Sequence, residues 1–176
     1  MWSFAGSLQP VAAASRPDLL APNVAAALPD GDAVGVAEID PALADTEAFC
    51  AHYGIAAADS ANCVVVKGKR AGEVRFAACV VLATTRADVN GIVRRRLDVR
   101  SASFAPMAEA VALTGMEYGG ITPVGLPDDW PLLVDAAVAA SPGVVVGAGI
   151  RGAKLFLPGS ALAALPRAEV VDGLGR

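Results

Sequence analysis

The stretch Thr114-Gly115-Met116-Glu117-Tyr118-Gly119-Gly120-Ile121-Thr122-Pro123-Val124-Gly125-Leu126 holds four glycines and a proline. Glycine permits positive φ and lets another group come close to backbone N–H, so such a segment can cradle an anionic or carbonyl oxygen. Pro123 stiffens its exit. A plain tight turn has the same composition, and both readings stand on these residues alone. No Gly-Lys-Ser/Thr follows, which excludes a phosphate-binding P-loop. A second group, Gly147-Ala148-Gly149-Ile150-Arg151-Gly152, has its third glycine misplaced for a dinucleotide fingerprint and no helix pattern behind it. It reads as a bent connection between strands.

Other reactive residue types are sparse. His52, the sole histidine, sits near the end of an expected helix beside Tyr53, with no triad indicated around it. Asp128-Asp129 lies in a Pro-rich turn and reads as solvated loop rather than an acid/base pair. Cys50, Cys63 and Cys79 are an odd number, widely spaced and in apolar surroundings, which fits reduced core thiols better than a disulfide framework or a zinc site. Arg94-Arg95-Arg96 with Arg100 is the one dense basic run; it reads as the solvated face of a short helix or as a landing patch for a phosphate backbone.

The elements that must position these residues follow from the rest of the chain. At 176 residues it is the size of one domain, expected over 1–176 with residues 1–16 a loose N-terminal segment. Hydrophobic residues make up 55% and excludes global disorder, while charges or prolines break every apolar stretch before it reaches a spanning length. The first residues lack the features of a secretory signal, so the cytoplasm is expected. A net charge of -4 disfavours tight duplex binding. Helices are predicted over Pro17 to Leu28, from Asp40-Pro41 to Tyr53 with Gly54 as the stop, from Asp88 to Leu97, over Pro106 to Thr114, and over Ser160 to Leu165. Strands are predicted over Ala33 to Ile39, Asn62 to Lys67 and Glu73 to Ala83 as a hairpin, Val99 to Phe104, Thr122 to Leu126, Leu132 to Val134, Val144 to Val146, Lys154 to Leu157 and Glu169 to Val171. Many short strands with intervening helices and no regular βαβ alternation give an α+β domain with a mixed, partly closed sheet.

The glycine run 114–125, followed by Leu132-Leu133-Val134-Asp135, then Val146 to Gly152 and Leu155-Phe156-Leu157, resembles the YbaK/prolyl-tRNA synthetase-associated domain family, in order and spacing, across about residues 60 to 172. The resemblance implies a β-barrel-like sheet wrapped by helices. It also implies hydrolysis of the ester that joins a wrong amino acid to the terminal adenosine of tRNA, with water as nucleophile. The loop marked by Gly119, Gly120 and Pro123 would line the pocket and offer backbone amides, and Ile121, Thr122, Asp135, Gly147, Gly149 and Arg151 would complete the substrate-binding set. The implied partner is the aminoacyl-tRNA 3′ end, with an aminoacyl-tRNA synthetase as a second; no DNA, membrane, cofactor or metal is expected.

Three polar positions depart from the family pattern. The family's pocket lysine falls at Asn62, a common Ser at Gly147, and a common Asp at Lys154. Two readings compete. Either Lys154 replaces the absent lysine from the opposite wall, with Asn62 beside the reacting group, or the pocket keeps its shape without catalysis and only binds an aminoacylated end or a related small ligand. Lys67 and Lys69 are expected to be solvated. A cysteine-dependent enzyme using Cys63 or Cys79 is a third, unrelated reading, and it would need a thiolate-stabilising cation or helix N-terminus nearby.

Overall fold

The computed structural model describes residues 2–31 and 33–176; Met1, part of the expected loose segment, and Asp32 lie outside them. Among the described residues nine strands form two sheets. Strands β1 (Val11–Ala12), β2 (Gly35–Glu38), β7 (Val144–Gly147) and β8 (Ala153–Leu157) make a four-stranded sheet in the order β1-β2-β8-β7. Strands β3 (Ala61–Arg70), β4 (Glu73–Leu82), β5 (Ser101–Phe104), β6 (Leu132–Asp135) and β9 (Ala168–Val171) make a five-stranded one in the order β5-β3-β4-β6-β9. The second sheet is mixed: β3 runs antiparallel to β4 and β5, while β4–β6 and β6–β9 are parallel. A parallel bridge between Ser60 and Val145 joins the sheets at one edge. The expected α+β class with a mixed sheet holds; the single barrel-like sheet is instead two sheets, not closed, that meet at this bridge.

Side-chain alternation explains the layering. Along β4, Ala78 and Val80 turn into the core between the sheets, and Ala77, Cys79 and Val81 turn to a second core under Val89, Val93 and Leu97. Along β8, Ala153, Leu155 and Leu157 enter the inter-sheet core while Phe156 faces a third cluster with Phe49 and Ile55. The helices are short: α1 (Pro22–Ala26), α2 (Thr46–Tyr53), α3 (Arg94–Arg96), α4 (Met107–Thr114), α5 (Ala136–Ala139) and α6 (Gly159–Ala163). α2 joins the third cluster through Phe49, the residues flanking α3 cover the second, and α1, α5 and α6 add Val24, Val138 and Leu162 to the inter-sheet core. Among the described residues no helix is long and apolar enough to cross a membrane.

The β3–β4 hairpin is longer than predicted, closing on the two-residue turn Ala71-Gly72, both at positive φ, as the right-handed strand twist favours. Asp88 accepts from the N–H groups of Gly91 and Ile92 and starts the turn that leads into α3, as its position predicts. Gly54 and Gly115 stop α2 and α4.

Several expectations fail for local reasons. The helix predicted over 17–28 is split into a 3-10 turn, Pro17–Leu19, and α1, because Pro22 can only open a new helix. Asp40 likewise caps a separate 3-10 turn, Pro41–Leu43, and not α2 itself. Residues 122–126 form no strand: Pro123 has no N–H, Gly125 has φ 83°, and the Thr122 N–H goes to the Met116 sulfur. Residues 2–16 are not loose. Ala5 is buried, Phe4 packs on Phe156 and Val11–Ala12 pairs with β2. Lys67 is not solvated either; it pairs with Glu109 at 2.9 Å and lies 6.0 Å from the Phe76 ring.

The cysteines occupy strand and helix positions in or beside the cores. Cys79 is fully buried, and burial pushes its thiol up to about 12; burial, then the neighbouring Cys79, pushes the Cys63 thiol further still. Alkylation with iodoacetamide at pH 8 should therefore label Cys79 only after unfolding and leave Cys63 far slower than a free thiol. Mass spectrometry of the native and urea-treated protein reads this directly, and rapid native labelling of Cys63 would reveal a thiolate.

Candidate functional site

A cavity of about 260 Å³ opens at the seam between the two sheets. The start of β3 (Asn62, Cys63 and Val64) forms one wall; Val146, Gly147 and Lys154 of β7 and β8 form the other, and Ala44 to Thr46 and Ser60 close the bottom edge. Tyr118, Gly119 and Ile121 of the glycine loop overhang it.

Lys154 is delivered there by strand alternation. It shares a face of β8 with Phe156, the face turned to Phe49 and α2, where an apolar residue would be expected. Only 7% of it is exposed. Its ammonium lies 5.0 Å from the Phe49 ring centroid and donates to the Ala44 carbonyl at 2.9 Å. That carbonyl belongs to the residue that closes the 3-10 turn, so it has no helical partner of its own. One of three ammonium protons is thus placed, one side of the ammonium lies against the Phe49 ring, and the side chain lines the cavity.

Burial, foremost, pushes the Lys154 pKa down to about 8; Arg151 acts in the same direction, while Cys50 and Asp45 oppose it. A lysine in an unfolded chain titrates near ~10.4. Below pH 8 both states hold the proton and folding bears the whole cost of burying the charge. Between pH 8 and about 10.4 the folded state gives up its proton first, and stability rises with pH. Urea titrations of wild type and Lys154→Met should thus show the variant more stable at pH 7. The gap should shrink by an amount on the order of 2–3 kcal/mol by pH 10.5.

Across the cavity, the Asn62 Oδ1 accepts from the Thr46 hydroxyl at 2.6 Å. Its amide N–H groups have no acceptor among the described residues and remain as donors. Thr46 opens α2, and Asp45, at the N-cap, caps nothing with its own side chain. Asp45 lies 4.0 Å from Arg151, at the rim.

The two glycine segments are laid against each other. Glu117 N–H donates to Gly149 O at 2.9 Å, Gly149 N–H to Gly120 O at 2.7 Å, and Gly120 N–H to Glu117 O at 2.9 Å. A Cβ on Gly147 would lie 2.6 Å from Gly120 O and 2.7 Å from Ile121 O, so the loop backbone rests directly on this strand. A Cβ on Gly120 would meet the Ile150 backbone at 2.7 Å. The Gly119 and Ile121 N–H groups donate to no protein acceptor among the described residues, whereas Gly120 is already engaged. Arg151 straps the rim, donating from Nη1 to Tyr118 O at 3.0 Å and from Nε to Pro41 O at 3.2 Å.

Of the expected site residues, Asn62, Gly119, Ile121, Gly147 and Lys154 line this one cavity. The others do not. Gly120 and Gly149 lie beneath the loop as its seat, and Arg151 holds the rim. Thr122 is completely buried with its hydroxyl unpartnered. Pro123 borders a separate cavity of about 160 Å³ with Trp130 and Leu165. Asp135 is buried near Thr85 and Gly175. Tyr118, Thr46, Ser60 and Asp45 were missed, since their positions carry no motif. The three departures from the family pattern all face the cavity, and two of them, Gly147 and Lys154, are direct cross-strand partners.

His52 is exposed at the end of α2, stacked edgewise on Tyr53, and does not line the cavity. The arginine run lies over the opposite face of the five-stranded sheet, where Arg96 pairs with Glu169 and Arg94 Nε donates to Asn90 O.

Two sheets meeting at a cleft overhung by a glycine loop, with short helices packed around them, define an α+β domain with a polar cavity at the seam. The profile of the aminoacyl-tRNA editing domain family matches residues 40–165, and the chain belongs to that family. Among solved structures, a candidate trans-editing enzyme for prolyl tRNA synthetase superposes with a TM-score of 0.67 at 23% identity, covering 79% of this chain and 85% of that one. The hypothetical protein APE2540 gives 0.66 at 22% identity, covering 76% and 85%. These likenesses establish the shared fold. A search of curated proteins found no match.

Proposed function

We propose that this protein is a trans-acting aminoacyl-tRNA deacylase, working in the cytoplasm, that hydrolyses the ester of a small amino acid misattached to tRNA. The observation that carries the reading is the convergence on one cavity of a buried ammonium, Lys154, and unengaged loop amides, Gly119 and Ile121. An acyl ester needs its carbonyl oxygen held by donors that strengthen as negative charge develops, and an ammonium and backbone N–H groups supply these without a covalent nucleophile. Water then attacks, the tetrahedral intermediate collapses, and the ribose hydroxyl leaves. The cavity leaves room for a small aminoacyl group and a water, whose share of liquid volume is about 30 Å³. Larger side chains are excluded by size.

Incubating the purified protein with tRNAs mischarged with Ala, Ser or Cys tests this. Release of at least one of them is expected, and no release from any would overturn the reading. The likeness to a candidate trans-editing enzyme for prolyl tRNA synthetase makes tRNA for proline the first to try. Asn62, in the family's lysine position and engaged by Thr46, favours a second reading, a module that holds the aminoacylated end without hydrolysing it. Measurable binding of mischarged tRNA with no turnover would select it.

A further inference from the structure

We propose that Tyr118 is the platform on which the base of the terminal adenosine stacks, so that the site selects esters of a nucleoside over esters of simple alcohols. This rests on the deacylase reading above and adds a binding group to it.

Tyr118 lines the cavity yet is 54% exposed, which is unusual for a large aromatic side chain with no partner ring. Its hydroxyl makes no hydrogen bond among the described residues. The backbone that carries it is held from two sides. Its own carbonyl accepts from Arg151 Nη1 at 3.0 Å, the Arg151 Nε is anchored on Pro41 O at 3.2 Å, and two residues on Gly120 N–H closes back onto Glu117 O. The ring is therefore presented at the mouth from a fixed backbone.

The geometry of the substrate supplies the other half. With the acyl group inside, between Lys154 and the loop amides, the ester oxygen and its ribose must lie at the opening, and the base attached to that ribose comes to the rim. Asn62, Thr46, Ser60 and Lys154 give the interior its polar groups, leaving the rim ring as the aromatic surface of the cavity lining. Base–aromatic stacking of this kind is worth about 1–3 kcal/mol, which corresponds to roughly fivefold to more than a hundredfold in affinity.

The test does not depend on turnover. Binding of 3′-alanylamino-3′-deoxyadenosine, whose amide resists hydrolysis, is compared by calorimetry with binding of alanine N-methylamide, which lacks the nucleoside. Wild type should prefer the first by roughly tenfold or more. Tyr118→Ala should lose that preference while binding the small amide as wild type does, and Tyr118→Trp should keep it. Equal loss for both compounds in Tyr118→Ala would show a merely structural residue and overturn the proposal, as would a wild type with no preference. If wild type binds neither compound, the deacylase reading falls and takes this one with it; binding of both with equal strength removes this one alone.

Discussion

Lys154→Ala is expected to lower the deacylation rate by about 10²–10³-fold, the usual loss when one preorganised donor to a developing oxyanion is removed. The fold itself should survive, because the ammonium is a buried charge whose removal relieves desolvation, and Lys154→Met at similar volume should be at least as stable as wild type. Loss of rate without loss of stability separates chemistry from structure. The pH profile adds a sign. If the ammonium form is the working one, the enzymatic rate, corrected for spontaneous ester hydrolysis, should fall above pH 8 as the proton leaves. A rate that climbs through pH 8 would instead mark a neutral amine acting as base, and full activity in Lys154→Ala would remove this residue from the mechanism.

The second large effect is expected from Gly147→Ala. The added methyl would lie 2.6 Å from Gly120 O and 2.7 Å from Ile121 O, and because both are backbone atoms no side-chain rotation can make room. The loop must lift. Overpacking of this kind costs about 1–3 kcal/mol, a fall in Tm of several degrees for a chain of this size. Activity should drop further than stability, by about 100-fold, since lifting the loop carries the Gly119 and Ile121 amides away from the carbonyl they would hold. Gly152→Ala, in the same glycine group, is the control: its nearest contact would be Pro41 Cγ at 3.8 Å, so Tm and rate should stay near wild type. A Gly147→Ala protein with unchanged melting and unchanged rate would show that the loop does not rest where the contact distances place it.

These two residues also show how far the sequence could be read. The β3–β4 hairpin was legible because two β-rich runs, through Val64 to Val66 and Ala77 to Val81, and the polar Gly-containing turn between them are local signals. The cap at Asp88 and the stops at Gly54 and Gly115 were legible for the same reason, since a cap depends on its immediate neighbours; Asp40 was legible as a cap, though of a short turn and not of α2. Which residues share the cavity was not local. Asn62 and Lys154 are 92 positions apart in the numbering and meet only because β3 and β8 belong to sheets that join at the seam. The glycine loop was recognised by composition, but which of its amides are free was decided by the second glycine segment lying under it; Gly120 and Gly149 were misassigned to the lining for that reason. Asp135 was placed at the site by its motif, whereas its strand, β6, carries it beneath Gly175.

The seam itself has a mechanical consequence. One jaw of the pocket, with Asn62, rides on the five-stranded sheet, and the other, with Lys154, rides on the four-stranded one. Among the described residues the only ladder contact between them is at Ser60 and Val145, so the gap is gauged by the aliphatic filling between the sheets, among them Val80, Val134, Val146 and Leu155. The two jaws are spaced as a calliper is, from behind. Trimming or thickening that filling, far from any reacting atom, is expected to change the opening and, on the proposed deacylase reading, the size of amino acid admitted.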